Sequence, residues 1–158
     1  MAEKMTARAT LAKNMRFEAQ AGTGYHITLD ASEKDGGQDT GFRPMELLLV
    51  GLAGCTGMDV ISILRKMRQQ VTAYEVYVEG TRAEDHPKVF VEINVEHIIT
   101  GRHLQPEAIA RAIQLSKERY CGAGAMLGKV ARLRHSFRII EEADALVPAE
   151  AVAMVPYD

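Results

Sequence analysis

Two cysteines, Cys55 and Cys121, stand 66 positions apart in this 158-residue chain. A thiol is the side chain best suited to nucleophilic attack and two-electron redox chemistry, provided it can lose its proton. Two cysteines are too few for a disulfide framework. They are also too few for structural zinc held by four cysteines or by three and a histidine, and neither has a His or Cys at ligand spacing. Two readings remain open: a pair of inert buried thiols, or one reactive pair.

The elements that must hold these residues can be read from periodicity. Pro44 opens a helical pattern reaching to about residue 69, with Glu46 in its first turn and Arg65, Lys66 and Arg68 at its end, the arrangement that suits the helix dipole. At 100° per residue, Leu48, Gly51, Leu52, Cys55, Met58, Asp59 and Ser62 share one face. Gly51, Gly54 and Gly57 each cost a helix interior roughly 1 kcal/mol relative to alanine, so close approach of another backbone is expected there. Cys55 on this stripe reads either as a small core residue or as a reactive thiol. Cys121 follows Lys117, Glu118, Arg119 and Tyr120 and precedes Gly122, Ala123 and Gly124. A short helix over residues 125–133 would place it near a helix N-terminus, where the dipole lowers a thiol pKa; a buried loop cysteine is the alternative.

Strand alternation marks residues 6–12, 15–19 and 25–29, followed by a polar, glycine-rich loop over 32–41. A hairpin of strands 71–79 and 89–95 turns at residues 84–87. A second helix runs from Pro106 to about residue 120, with Ala108, Ile109, Ala112, Ile113 and Ser116 as its small, apolar stripe, and a last strand covers 136–141. The expectation is one α+β domain over residues 1–158, with a core of about 5–141 and a tail over 143–158.

Composition fits that reading: 47% of residues are hydrophobic and 25% charged. Nineteen Lys and Arg against 21 Asp and Glu leave a net charge of -2, which argues against nucleic acid as a partner. The longest charge-free run, residues 47–58, is shorter than a membrane span, and the polar first 14 residues hold no apolar signal core. A cytoplasmic location without membrane contact is expected. His26, His86, His97, His103 and His135 show no metal spacing and read as surface or satisfied core residues, so neither metal nor cofactor is expected. Tyr74, Tyr77 and Tyr120 read as packing residues.

The segment PMELLLVGLAGC, whose cysteine Cys55 follows Pro44 by eleven positions, resembles the first cysteine helix of the OsmC/Ohr family of thiol peroxidases, and SKERYC, ending at Cys121, resembles its second cysteine region. The order strand, helix, hairpin, helix, strand is similar to that family over about residues 5–141. The resemblance implies antiparallel sheets wrapped around two central helices in an intertwined homodimer. It further implies that Cys55 attacks an organic hydroperoxide and becomes a sulfenic acid, that Cys121 condenses with it to a disulfide, and that a dithiol reductant, a lipoyl-protein or other thiol, resets the pair.

Some positions depart from the Ohr branch and place the chain nearer a divergent OsmC-like branch. The Ohr branch activates its thiolate with an arginine from the N-terminal strands, held by a glutamate directly after the helix-opening proline; here Met45 takes that place and the acid is Glu46. Nine residues separate Glu46 from Cys55, about 13 Å along the helix and on its opposite face. No arginine occurs over residues 21–25, leaving Arg16 and Arg43 as the candidate substitutes, and Gly122 replaces the family proline. Asp59, one turn beyond Cys55, would raise a thiol pKa unless Arg43, Arg119, His26 or a hydrogen bond compensates it. The alternative function is a non-catalytic small-molecule binding protein with an apolar pocket over the Cys55 helix and Asp59 as its polar anchor.

Overall fold

The computed structural model describes residues 2–143. Apart from Ala143, the tail expected over residues 143–158 lies outside the described residues. The chain forms two compact units, one ending at Gly51 and one beginning at Leu52.

In the first unit, β1 (Ala7–Lys13), β2 (Arg16–Ala21) and β3 (His26–Leu29) form an antiparallel sheet in sequence order, within two residues of the periodicity reading at each end. The polar loop that follows is organised by one carboxylate. Asp30 is 2% exposed and accepts the Ala31, Gln38 and Thr40 backbone N–H groups and the Thr40 hydroxyl at 2.7–3.1 Å. The Thr40 hydroxyl, followed by these amides, holds the Asp30 carboxyl down at about 2 against the opposing effect of burial. At the loop's end the Glu46 carboxylate accepts the Arg43 backbone N–H at 2.9 Å, which is the reciprocal half of a capping box and opens α1 (Pro44–Lys66).

In the second unit, α1 buries Leu52, Thr56, Val60 and Leu64 at four-residue spacing. Val60 and Leu64 pack with Ile99, Leu104, Ile109, Ala112 and Ile113; each such aliphatic side chain contributes roughly 1.5–3 kcal/mol by leaving water. Arg68, at φ 57, stops the helix in the left-handed conformation, two residues beyond its last residue, Lys66. By length and composition α1 is able to cross a membrane, with mean hydropathy 2.0 over 18 residues, a property the charge-free run alone understates. Its buried row and its hydrogen-bonded Thr56 and Asp59 make it the core helix of a soluble fold instead.

Strands β4 (Gln70–Arg82) and β5 (Phe90–Arg102) pair antiparallel from end to end, both longer than the alternation indicates. The chain then leaves the sheet as α2 (Pro106–Leu115), a π turn (Ser116–Tyr120) and α3 (Gly122–Leu127), and returns as β6 (Arg132–Glu141). This return makes β6 parallel to β5, in register from Glu92↔Arg132 to Gly101↔Glu141. The sheet is therefore mixed, where an all-antiparallel arrangement was expected, because the helical excursion works as a crossover connection. The third helix also differs from its expected span of 125–133. It begins at Gly122, capped by Cys121, and residues 132–135 are strand because they extend the ladder on β5.

Candidate functional site

Cys55 lies at the start of the fourth turn of α1, half-buried, four residues before Asp59 on the same face. Cys121 is the residue between the π turn and α3. In the π turn the Cys121 N–H reaches back five residues to the Ser116 carbonyl at 2.8 Å, and the Cys121 Sγ accepts the Gly124 N–H at 3.2 Å. Cys121 is 4% exposed. This geometry brings the two sulfurs and an Asp59 carboxylate oxygen within 4.8 Å of one another, with both thiols free.

The dipole argument for Cys121 does not hold. Burial pushes its thiol up to about 11, more than the Gly124 N–H draws it down, and the hydrogen bond with Cys55 and the nearness of Cys55 and Asp59 push the same way as burial. A helix of six residues carries too little dipole to reverse this. Cys121 therefore holds its proton at neutral pH and is placed to donate it toward Cys55.

Asp59 finds its partner in a hydroxyl. The Ser116 Oγ donates to Asp59 Oδ2 at 3.0 Å and lies 3.2 Å from Thr56 Oγ1, with Ser116 and Thr56 fully buried. Arg119 is exposed and makes no ion pair among the described residues. Arg16 pairs with Glu18 at 2.7 Å, and Arg43 is held by Asp39 and by the Asp30 and Gly41 carbonyls, so each N-terminal arginine has a local partner in its own unit. Of the three interior glycines of α1, Gly57 alone has a close neighbour among the described residues, a side chain rather than a backbone: a Cβ there would meet Val76 Cγ2 at 3.3 Å, whereas nothing lies within 4 Å of one at Gly51 or Gly54.

Cys55, Asp59 and Cys121 form a three-donor set of two thiols and a carboxylate that could hold a divalent metal. Sequence spacing misses it because the third ligand comes from another helix. Beside this set a cavity of about 280 Å³ is lined by Asp59, Ser62, Ile63, Lys66, Leu115 and Tyr120.

A second polar group went unread in the sequence. Tyr74, His97 and His135 form a diagonal row across β4, β5 and β6, their rings stacked. The Tyr74 hydroxyl lies 2.6 Å from His97 Nδ1, and His97 Nε2 lies 3.0 Å from His135 Nδ1. Burial, followed by the neighbouring His135, lowers His97 to about 4, so the ring is neutral and holds one N–H. Tyr74 has no other hydrogen-bond partner among the described residues, so its O–H donates to Nδ1, His97 donates Nε2–H to His135, and the free nitrogen of His135 is Nε2.

Comparison with known proteins agrees with this architecture. The OsmC-like protein family model matches residues 36–136. Protein YhfA of Escherichia coli (strain K12) is 37% identical over 136 residues, covering 86% of this chain and 98% of that protein. The crystal structure of a hypothetical protein from Aquifex aeolicus VF5 is 32% identical, covers 90% of this chain and 100% of its own, and superposes with a TM-score of 0.79. An organic hydroperoxide resistance protein OsmC from Legionella pneumophila shares the fold, with 14% identity, coverage of 87% and 98%, and a TM-score of 0.65. The α+β fold with two sheets and helices is the one expected, and the chain belongs to the OsmC-like protein family.

Proposed function

We propose that the protein is a cysteine-based peroxidase that reduces organic hydroperoxides in oxidative-stress defence. The observation carrying this reading is the convergence of two free thiols, 66 residues apart in sequence, to within 4.8 Å of each other and of the Asp59 carboxylate. The Cys55 thiolate attacks one peroxide oxygen and the O–O bond breaks. The alkoxide leaves and takes a proton to become the alcohol, and Cys55 becomes a sulfenic acid. Cys121, still protonated, then attacks the Cys55 sulfur. Its proton leaves with the sulfenic hydroxyl as water, and a Cys55–Cys121 disulfide remains. Two reducing equivalents from a thiol reductant return both thiols.

The cavity beside Asp59 supports an organic substrate, because Ile63, Leu115 and Tyr120 offer apolar surface to its carbon chain. The chemistry named for the Legionella pneumophila protein of this fold supports the same substrate class. A cytoplasmic homodimer completes the proposal: Met58, 74% exposed on α1, and the open space over Gly54 leave an apolar helix face for a second copy. The same cavity and the Ser116-held Asp59 favour, as a second reading, a binding protein for a small apolar ligand.

One equivalent of cumene hydroperoxide followed by peptide mass spectrometry separates the two. The peroxidase reading expects an intrachain Cys55–Cys121 disulfide within seconds, its loss in Cys55→Ser, and a trapped sulfenic acid at Cys55 in Cys121→Ser. Two free thiols after minutes, together with saturable binding of an apolar ligand, would establish the second reading instead.

A further inference from the structure

A cavity of about 360 Å³ opens between α3 and the start of β6. Cys121, and not Cys55, is on its wall, together with Lys117, Lys129, Arg132 and His135, and no Asp or Glu lines it. None of the three cationic side chains takes part in an ion pair among the described residues. Glu92, the ladder partner of Arg132, is occupied by Arg134 at 3.2 Å. Burial, followed by the nearby Lys117 ammonium, disfavours protonation of His135. The His97 contact at Nδ1 leaves the Nε2–H of His135 as a fixed donor of the cavity wall. Three cations without an ion pair among the described residues, and a neutral histidine, line the cavity that also reaches the Cys121 side chain, a lining complementary to an anion.

We propose that this cavity admits a carboxylate-bearing small-molecule thiol, which reduces the oxidised protein by attacking the Cys121 sulfur. The proposal rests on the peroxidase reading and identifies the class of its reductant. The thiolate attacks Cys121 Sγ, the Cys55–Cys121 bond breaks, and Cys55 leaves as a thiolate. A mixed disulfide between Cys121 and the small molecule remains. A second thiolate attacks the small molecule's sulfur in that bond, releasing its symmetric disulfide and the Cys121 thiolate, which takes up a proton. Two small-molecule thiols are oxidised as one protein disulfide is reduced. Lys117, Lys129 and Arg132 hold the carboxylate, and His135 donates to it. The cavity's side of the pair selects Cys121 as the sulfur attacked.

The test starts from protein oxidised with diamide, so that it does not depend on the peroxide step. Reduction is followed with 3-mercaptopropionate, 2-mercaptoethanol and cysteamine, each rate expressed per thiolate. The expected order is anionic, neutral, cationic, with about a tenfold spread at low salt that shrinks toward unity in 0.5 M salt as the cations are screened. Acid quenching should find the mixed disulfide on Cys121. In the triple variant Lys117→Gln, Lys129→Gln, Arg132→Gln the spread should fall to about twofold. Equal rates in the wild-type protein, an unchanged spread in the triple variant, or an adduct on Cys55 would each overturn the proposal.

If diamide forms no disulfide, the reduced Cys55→Ser protein serves. Cys121 should then exchange faster with 5,5′-dithiobis(2-nitrobenzoate) than with uncharged dithiodipyridine, relative to the ratio shown by a free small thiol, and the triple variant should abolish that excess. No excess overturns the proposal. Inertness toward peroxide with charge-ordered reduction intact overturns only the peroxidase reading.

Discussion

Replacing Asp59 with asparagine keeps an oxygen for the Ser116 hydroxyl and removes a negative charge within 4.8 Å of both sulfurs. At that distance one charge on another is worth about 0.9 kcal/mol in water and about 3.5 kcal/mol at an effective dielectric of 20. These figures correspond to about 0.6 and 2.5 pKa units. Asp59 contributes less to the raised Cys121 thiol than burial or Cys55 does, so the lower part of that range applies, about one unit below the value of about 11. At pH 8 the thiolate population of Cys121 then rises about tenfold. Because a less basic thiolate is a weaker nucleophile, the alkylation rate rises only about three- to fourfold. The measurement is the pH profile of iodoacetamide labelling at Cys121, in a Cys55→Ser background so that one sulfur reports, with and without Asp59→Asn. An unchanged or raised Cys121 pKa would refute the electrostatic reasoning, since it would mean that the carboxylate is not felt across the distance seen.

Protonation of His97 gives a pH signature. With the folded ring at about 4 and an unfolded value of 6.5, the unfolded chain binds the proton first as pH falls, so stability is complete above pH 6.5 and is lost between there and pH 4. Urea unfolding at pH 7.5 and 4.5 should show an extra loss of about 2–3 kcal/mol that a His97→Phe variant, less stable at neutral pH, does not share. Ser116→Ala leaves the buried Thr56 hydroxyl and the Asp59 carboxylate without their partner. It should cost about 1–3 kcal/mol, or a melting temperature lower by about 2–10 °C, whereas Thr56→Val, which leaves the Ser116–Asp59 bond, costs less. Gly57→Leu should destabilise the chain by about 1–3 kcal/mol because its Cβ already meets Val76 at 3.3 Å. Gly54→Leu has room within the chain, and in sedimentation it should convert the proposed dimer to single chains without lowering the monomer's helicity.

Periodicity located α1 and β5 because each buries one face: α1 its four-residue row, β5 its alternating Ile93, Val95, His97 and Ile99. It also put Cys55 and Asp59 on one helix face, and the break after Tyr120 marked Cys121 as exceptional. What stayed hidden depends on partners distant in sequence. Local pattern does not distinguish a parallel from an antiparallel neighbour, so the direction of β6 and its start at Arg132 became visible only through its ladder on β5. The Tyr74–His97–His135 row exists only in that three-strand register, and the three residues look unrelated along the chain. Ser116 was placed on the small stripe of α2, but its hydroxyl gained meaning only opposite Thr56 and Asp59. For Cys121, a sequence shows nearness to a helix start and does not show burial, and burial decided its proton affinity.

The π turn Ser116–Tyr120 makes the second sulfur's position a matter of counting. Closing that turn through an N–H five residues on, instead of four, admits one residue more than an α-helical turn holds. Substituting Lys117, Glu118 or Arg119 leaves the count intact, and with it the direction in which Cys121 leaves the helix. Deleting any one of the three would let α2 continue in ordinary phase and swing Cys121 about 100° around the axis, away from Cys55. The meeting of the two sulfurs is in this sense encoded by a segment length, which fixes the number of residues between Leu115 and Cys121, whereas the charge of Lys117 answers to the cavity it lines.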